Sequence, residues 1–418
     1  MTIATPTAAG RAPTRWPRSF RLLYTAAVAH DVGFHVGQLA VPVLAVSLLS
    51  AGPAQVGLLG ALSTAAFLLV GLPAGVWVDR WPRRSVLVAA DLLRAVLVAS
   101  VPVAWWAGWL SIHQLYVVVF LTGLGTVFAD VAAQSYLPEL VGRDRLVAAN
   151  SLLVTTSGTL QIAGRGVGGL LVQLLTAPAA IVLDAVGYAV AAAAVGRIPA
   201  GGPRSGPTRE PGGFARQLGA GVRHVLGSPL LRPLAASTAS INLTMQLTTT
   251  MLPVVFLREL GLGAAALGLF LGVGGVGSLL GALTARRLAG RIGHGRALWL
   301  PGLLVAPLGL LVALVDTGPM LWLAGLGWLA LAWRTGIGNV IGVSLRQAAT
   351  PDALLGRMNA TFRFLLTGAL TVGAAIAGLL SQFTDVRTSL LVGAVANGLT
   401  WLPVFLSPLR ALRRPPGA

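Results

Sequence analysis

The chain of 418 residues is 55% hydrophobic and only 10% charged, with a mean hydropathy of +0.80. Soluble domains carry about 25% charged residues, so this composition excludes an ordinary soluble globule. The sequence contains no cysteine, and all 30 of its basic residues are arginine. Disulfides, thiolate catalysis and the lysine of an ATP-binding P-loop are therefore excluded. Any pumping must draw on an ion gradient or on a separate motor subunit.

The formal net charge of +18 does not indicate a nucleic-acid-binding protein, because of where the arginines lie. They cluster at the ends of apolar runs, which is the arrangement of cytoplasmic loops in membrane proteins. We therefore expect these charges to lie beside a lipid bilayer and to bind no nucleic acid.

Apolar runs of about 20 residues, the length needed to cross a bilayer, recur along the whole chain. The sequence predicts an all-α polytopic membrane protein with twelve transmembrane helices. The predicted spans are residues 21–49, 55–78, 85–107, 113–137, 148–175, 179–198, 229–257, 264–285, 297–315, 320–345, 358–382 and 388–409.

These spans divide into two halves. A tail at 1–20 precedes an N-terminal six-helix half at 21–198, and a polar linker at 199–228 leads to the C-terminal half at 229–409 and a tail at 410–418. With the N-terminus inside, nearly all loop arginines fall on the cytoplasmic side, and only Arg258 and Arg387 face the other side. Both termini are therefore predicted to be cytoplasmic.

The polar linker contains a short helical pattern. Phe214, Leu218, Val222 and Val225 recur at helical spacing, which favours a helix lying on the cytoplasmic leaflet. A solvated linker without regular structure is the alternative.

Short motifs recur at matching positions in the two halves. "LPELVGRDRLVAANSL" (137–152), after the fourth span, corresponds to "RQAATPDALLGRMNAT" (346–361), after the tenth. A parallel repeat of six plus six spans is the layout of the major facilitator fold. The stretch "GVWVDRWPRR" (75–84) resembles the signature of that superfamily, G-x-x-x-D-R-x-x-R-R. "ADLLRA" (90–95) and "GGLLV" (168–172) are similar to its bacterial branch of siderophore exporters and macrolide efflux proteins.

The resemblance implies a gate at the cytoplasmic ends of the helices. In such proteins the signature aspartate, here Asp79, meets the start of the eleventh helix near Met358–Asn359, and Arg80 would pair with an acid such as Asp130. A carboxylate beside a helix N-terminus is stabilised by about 0.3–1 kcal/mol. The alternative is that the arginines only hold the loop inside, which leaves Asp79 unexplained. The predicted gating motif consists of Gly75, Asp79, Arg80, Arg83, Arg84 and Asp130.

Polar residues on one face of the first span are candidates for proton coupling. Asp31, His35 and Gln38 lie at positions i, i+4 and i+7, and Asp31 is about 15 Å from Arg21 along the helix axis. Apolar surroundings favour a neutral carboxyl group, and histidine titrates near neutrality. Asp31 and His35 are therefore predicted to carry a proton, with a structural hydrogen-bonded pair as the alternative.

Further charges at membrane depth cost at least about 2.5–3.5 kcal/mol each and mark candidate sites. Arg165 lies about 22 Å from Asn150 along its helix, where the branch usually has proline. It is expected either to balance Asp31 or Asp184 or to hold an anionic group of the substrate. The same two interpretations apply to Arg334.

The seventh span is unusually polar, with nine hydroxyl or amide side chains between Ser237 and Thr250. Such groups suit the wall of a cavity, and the first and seventh helices line the cavity in the superfamily. Hydrogen bonding between helices is the alternative. The predicted substrate contacts are Gln38, Arg165, Asn242, Gln246 and Arg334.

We expect a secondary transporter of the bacterial inner membrane that exports a small, partly lipophilic compound, such as a natural product, drug or siderophore, in exchange for protons. A proton-coupled importer, a lipid flippase and a non-transporting sensor or scaffold are the alternatives. The sequence contains no cofactor motif, metal-ligand cluster or catalytic constellation, so we expect no enzyme. A monomer is expected, with the substrate, protons and the bilayer as its partners; no motif specifies the substrate.

Overall fold

The computed structural model describes residues 16–71, 73–78, 80–199, 214–351 and 354–414, and every regular element within them is helical. The elements are α1 (Arg18–Ser47), α2 (Pro53–Val70), α3 (Ala74–Val78), α4 (Arg83–Trp106), α5 (Ile112–Val141), α6 (Leu146–Leu175), α7 (Ala177–Gly196), α8 (Phe214–Gly227), α9 (Leu231–Val254), α10 (Ala264–Ile292), α11 (His294–Ala313), α12 (Pro319–Ala348), α13 (Leu355–Phe383), α14 (Val386–Gly398) and α15 (Leu402–Phe405). A π-helical turn at Val255–Glu259 extends α9.

Eleven helical segments among the described residues are long and apolar enough to cross a membrane. The helix α1 has 30 residues, more than the about 20 that a span requires, and its polar side chains lower its hydropathy. The helices follow the predicted spans in order. Two of those spans are interrupted, between α2 and α3 and between α14 and α15, because Pro73 and Pro403 each lack the N–H that a continuous helix needs.

Polar side chains begin two helices at tight loops. The Ser111 hydroxyl accepts a hydrogen bond from the Gln114 N–H (3.3 Å), and the Asp385 carboxylate accepts one from the Thr388 N–H (2.7 Å). Such caps satisfy N–H groups that the first turn of a helix leaves without a partner. The hydrogen bonds from the Thr388 side chain and backbone hold the pKa of Asp385 below its usual value.

The helices form two bundles that touch along two seams. In the first bundle α1 packs on α6 and α7, and α4 packs between α5 and α7; in the second, α12 packs between α10 and α11, and α9 packs on α13 and α14. The bundles meet where α2 packs on α13 and where α6 packs on α10. We call the end of the molecule where α1 finishes the outer end, and the opposite end the inner end.

Glycines bring the backbones of the two bundles into close contact near the outer end. A Cβ on Gly57 of α2 would lie 2.4 Å from the Cα of Gly378 of α13, and one on Gly169 of α6 would lie 2.8 Å from the Cα of Gly268 of α10. Arg258 adds a hydrogen bond of 2.9 Å from Nη2 to the Ala51 carbonyl oxygen. The outer end is therefore closed in this conformation.

Gly57→Val is expected to open the outer end, because the added methyl groups overlap the backbone of α13 and such overpacking costs about 1–3 kcal/mol. A single cysteine can report this, since the chain has none of its own. Ala51 is only 1% exposed, so Ala51→Cys alone should react slowly with a membrane-impermeant maleimide. In the double variant with Gly57→Val, the reaction should be at least about tenfold faster. A shift of about 1.4 kcal/mol in the equilibrium between the closed and open states is enough for that factor. Gly325→Val, which meets nothing within 4 Å, is the matched control. Equal labelling in both variants would contradict closure at this seam.

The linker between the halves contains the helix α8. Val225 on this helix is fully buried, and Gly221 packs so closely on α13 that a Cβ there would lie 2.8 Å from the Arg357 carbonyl oxygen. Residues 214–227 are thus helical and packed against the inner end of α13. Residues 200–213 of the linker and residues 1–15 of the N-terminal tail lie outside the described part of the chain.

Candidate functional site

An ion pair joins the two bundles inside the membrane. The Arg363 Nη2 of α13 lies 2.8 Å from the Asp130 Oδ2 of α5, and both side chains are partly exposed, at 41% and 44%. The Arg363 guanidinium also lies over the Phe67 ring of α2, 4.3 Å from its centroid. Asp130 is about 16 Å from Val141 along the helix axis, so this exposure at membrane depth indicates a space between the bundles that opens toward the inner end.

The predicted pair between Arg80 and Asp130 is wrong for this conformation, because Asp130 binds Arg363 instead. The reason is helical geometry. Trp77 of α3 stacks on Phe128 of α5, with ring centroids 6.0 Å apart. Asp130 is two residues further on and points about 200° around the helix, away from α3 and toward α13.

The remaining arginines of the predicted gating motif bind within the N-terminal bundle. Arg83 donates to the Ser135 carbonyl oxygen (2.7 Å) and forms an ion pair with Glu139, both on α5. Arg84 donates to the carbonyl oxygens of Val195 and Gly196 at the end of α7. These bonds fix the inner end of α4 to its neighbours.

Gly75 and Asp79 are the other residues of the predicted gating motif. Gly75 lies in α3 and meets nothing within 4 Å of an added Cβ. Asp79 lies outside the described residues, so its contact with α13 stays a prediction.

Some polar residues of α1 face the space between the bundles, and others are covered by neighbouring helices. Asp31 is half-buried, with the Ser157 hydroxyl of α6 facing it, and it lies within electrostatic range of Asp130. Gln38 is exposed. His35 is only 7% exposed and packs under α6, where a Cβ on Gly164 would lie 2.7 Å from the His35 Cβ. Asp31 and Gln38 are therefore accessible to a ligand, whereas His35 is covered.

Arg165 is a half-buried cation without an acidic partner. No carboxylate of a described residue forms an ion pair with it, so this conformation contains no direct pairing of Arg165 with Asp31 or Asp184. Asp184 cannot reach it because the carboxylate is buried on α7 against Gly37 of α1. His35 lies within electrostatic range of the Arg165 charge. An unbalanced cation at this depth is costly, and the role of Arg165 in binding the substrate stays a prediction.

Arg334 forms hydrogen bonds inside the C-terminal bundle. It is 5% exposed, and it donates to the Asn397 carbonyl oxygen (3.3 Å), the Asn397 Oδ1 (3.2 Å) and the Thr400 Oγ1 (2.5 Å). These bonds join α12 to the end of α14. This burial places Arg334 out of reach of a ligand between the bundles, contrary to its prediction as a substrate contact.

Arg334→Ala is expected to lower stability by about 2 kcal/mol or more, because it removes buried packing and leaves the acceptors on Asn397 and Thr400 without a donor. The KM for any transported compound should stay unchanged in the folded fraction. Thermal unfolding of the purified protein, with transport in proteoliposomes at matched protein content, measures both quantities. A raised KM with unchanged stability would restore Arg334 as a substrate contact.

Much of the polarity of α9 is satisfied within the C-terminal bundle. The hydroxyl of Thr248 bonds to the Thr244 carbonyl oxygen, and the Asn397 Nδ2 of α14 donates to the Thr244 Oγ1 (2.8 Å). Asn242 and Gln246 are half-buried, and their amide N–H groups donate to the Thr238 carbonyl oxygen and to the Thr250 Oγ1. Hydrogen bonding within and between helices therefore explains part of this pattern, and the roles of Asn242 and Gln246 in the cavity stay predictions.

Sequence reasoning missed two features of the site. Arg363 lies within the predicted eleventh span, and the depth argument applied to Arg165 would have identified it. Asp91 and Arg94 lie within the third span at a spacing of three residues, which favours an ion pair along one helix. The structure contains that pair, with exposures of 4% and 2%.

Two six-helix bundles, seams at α2–α13 and α6–α10, and a charged space between them define a transporter of the major facilitator class. The sequence profile of one family of that class, described as transmembrane secretion effector, matches residues 8–414. The chain belongs to this family.

Relatives of known function cover nearly the whole chain. Enterobactin exporter EntS of Citrobacter koseri is 27% identical over 409 residues, which cover 95% of this chain and 94% of the relative. EntS of Escherichia coli O1:K1 is 26% identical with the same coverage.

Solved structures match the fold at low identity. A bacterial homologue of the iron transporter ferroportin in an inward-facing state has a TM-score of 0.73 and 21% identity, covering 93% of this chain and 98% of that one. The nucleoside transporter NupG has a TM-score of 0.71 and 13% identity, covering 93% and 99%. These likenesses concern the fold alone.

Together these findings confirm the predicted family, the all-helical fold and the absence of an enzymatic role. The protein is a secondary transporter that exports a compound, and it is a multi-pass protein of the inner membrane. Its substrate is a small molecule.

Proposed function

We propose that the protein exports a small, partly lipophilic compound that carries an anionic group, in exchange for protons. The observation that carries this proposal is Arg165, an intramembrane cation without an acidic partner among the described residues. An anion bound there would balance its charge in surroundings of low dielectric constant, where charge–charge attraction is strong. Siderophores with acidic groups fit this description, and enterobactin is the compound named for the relatives.

Asp31 is the proposed coupling group on the cavity side. It is half-buried, and the Ser157 hydroxyl faces its carboxyl group. Asp31 takes up a proton from the outer side as the compound leaves and releases it to the inner side before the next compound binds, so one proton enters for each exchange. His35, which packs under Gly164 and lies within electrostatic range of Arg165, is the second proposed coupling group.

Alternating access requires the inner contacts to strengthen as the outer contacts separate. We infer that both termini are cytoplasmic, so the closed outer end faces away from the cytoplasm and the space between the bundles receives the compound from inside. A monomer contains the whole pathway, because both seams and the polar residues belong to one chain.

The Asp130–Arg363 pair is proposed to set how far the inner end opens. Arg363→Asp places two carboxylates against each other, so transport is expected to fall about tenfold, whereas Asp130→Arg with Arg363→Asp restores most of it. Stability should change by less than about 1 kcal/mol, since both side chains are partly exposed. Transport initial rates at matched expression measure the effect. A double variant as impaired as the single one would show that the pair has no such role.

The test of the proposed function measures cellular retention of a panel that contains enterobactin, lipophilic dyes and antibiotics of either charge. Cells that express the protein are compared with cells that express Gly57→Val, in which closure of the outer end is blocked, with and without a protonophore. We expect lower retention of anionic compounds only with the wild-type protein, and loss of that effect with the protonophore. Higher retention with the wild type would indicate an importer, and lower retention that survives the protonophore would exclude proton exchange.

A further inference from the structure

A cluster of buried polar side chains lies behind α1, on the side away from the space between the bundles. It contains Asp91 and Arg94 of α4, Asp184 and Tyr188 of α7, and His30 of α1. The exposures of Asp91, Arg94, Asp184 and Tyr188 are 4%, 2%, 8% and 0%. The proposed coupling through Asp31 does not involve this cluster.

Arg94 forms no ion pair with Asp184, although its charge lies within electrostatic range of that carboxyl group. Its guanidinium forms an ion pair with Asp91, and it donates to the Thr126 Oγ1 (3.3 Å) and to the Ala90 carbonyl oxygen (3.3 Å). The guanidinium also lies over the Tyr188 ring, 4.5 Å from the centroid. The charges of Asp91 and Arg94 therefore balance each other without a second acid.

Asp184 is a buried acid, and one of its carboxyl oxygens is buried without a hydrogen-bond donor. Its Oδ1 has no hydrogen-bond partner, and the same holds for the His30 Nδ1 and the Tyr188 hydroxyl beside it. The His30 and Tyr188 rings lie 5.2 Å apart between centroids. A charged carboxylate in this place would need a donor or a cation of its own, because burying an unpaired charge is far more costly than burying a neutral acid.

The helix α1 packs directly over this acid. A Cβ on Gly37 would lie 2.3 Å from the Asp184 Oδ2, and one on Gly33 would lie 2.7 Å from the Asp184 Cα. The α1 and α7 backbones are thus in contact over Asp184. Movement of α1 away from α7 would expose the carboxyl group further to water.

We propose that Asp184 is a proton-binding site, neutral while α1 is seated on α7 and deprotonated when α1 moves. The role of Asp184 in transport rests on the proposed function, because it requires a compound to bind at Asp31 and Gln38 on the opposite side of α1. A compound that binds there displaces α1, and the Asp184 O–H bond breaks, with the proton passing to water on the inner side. After the compound leaves, a proton from the outer side restores the acid. Asp31 thus exchanges protons in the space between the bundles, and Asp184 binds a second proton on the other side of α1.

Infrared spectroscopy of the purified protein tests the charge state without any substrate. A protonated carboxylic acid has a carbonyl stretch separate from the carboxylate bands. At neutral pH we expect that band in the wild type and in the exposed control Asp316→Asn, and a weaker band in Asp184→Asn. Asp184→Asn mimics the neutral acid, so its melting temperature should equal that of the wild type. An unchanged band, or a strongly lowered melting temperature, would show that Asp184 is charged and would overturn the proposal.

Proton release on binding tests the coupling. Addition of an exported compound to the detergent-solubilised protein in weak buffer is expected to release protons from the wild type and from Asp316→Asn, with a loss of at least half of that signal in Asp184→Asn. Full release from Asp184→Asn would overturn the coupling role. If the retention panel identifies no exported compound, the proposed function fails, whereas the infrared result still decides whether Asp184 binds a proton.

Discussion

Arg165→Met is expected to lower the export of anionic compounds about 30-fold or more and to leave neutral compounds almost unaffected. Removal of one partner of a desolvated charge pair costs about 2–5 kcal/mol, and 2 kcal/mol corresponds to about 30-fold in affinity. Methionine retains much of the length and the apolar contacts of arginine, so the packing of α6 on α1 should survive. The KM of anionic members of the panel in proteoliposomes is the quantity to measure.

Arg287→Met is the matched control for this prediction, because Arg287 is an exposed arginine at the inner end of α10. It should leave every KM unchanged. An equal loss for anionic and neutral compounds with Arg165→Met would indicate that Arg165 supports the structure of α6. Unchanged transport of anions would remove the reason to propose an anionic substrate.

Asp31→Asn is expected to abolish concentrative export while leaving movement of the compound down its own gradient. Asparagine keeps the size and polarity of the neutral acid but cannot release a proton. One charge that crosses a membrane potential of about 100 mV supplies about 2.3 kcal/mol. That free energy supports a concentration ratio of roughly 50-fold across the membrane, which the variant should lose. Efflux from preloaded proteoliposomes, with and without an imposed pH gradient, separates the two quantities.

Asp144→Asn, on an exposed loop at the inner end, is the control for Asp31. Concentrative export by Asp31→Asn at the wild-type level would contradict the coupling role. Loss of downhill movement as well would indicate that Asp31 contacts the compound or supports the structure.

Much of the fold could be predicted from the sequence because membrane helices leave a strong local signal. Every predicted span has a helix, since about 20 apolar residues satisfy their backbone hydrogen bonds only as a helix or closed barrel in lipid. The interruptions near Pro73 and Pro403 were missed, although proline at these places removes an interior hydrogen bond. The residues around each proline are apolar, so the sequence reads as one continuous span.

Partners across helices could not be predicted, because they depend on how the helices rotate and pack. Depth along a helix marked Asp31, Arg165 and Arg334 as candidate site residues. It could not tell that Asp130 would meet Arg363 across the bundles, or that Arg334 would be enclosed by α14. The family resemblance predicted a pair between Arg80 and Asp130. Asp130 lies two residues after Phe128, which contacts α3, and it therefore points away from α3.

Inside-out membrane vesicles offer the most direct test of proton-driven export. An exported compound added outside these vesicles should enter the lumen, and protons should leave it in exchange. We therefore predict that the compound accumulates and that a pH-sensitive dye in the lumen reports alkalinisation, both abolished by a protonophore. Accumulation without a change in lumenal pH, at the same rate in the presence of the protonophore, would contradict proton exchange.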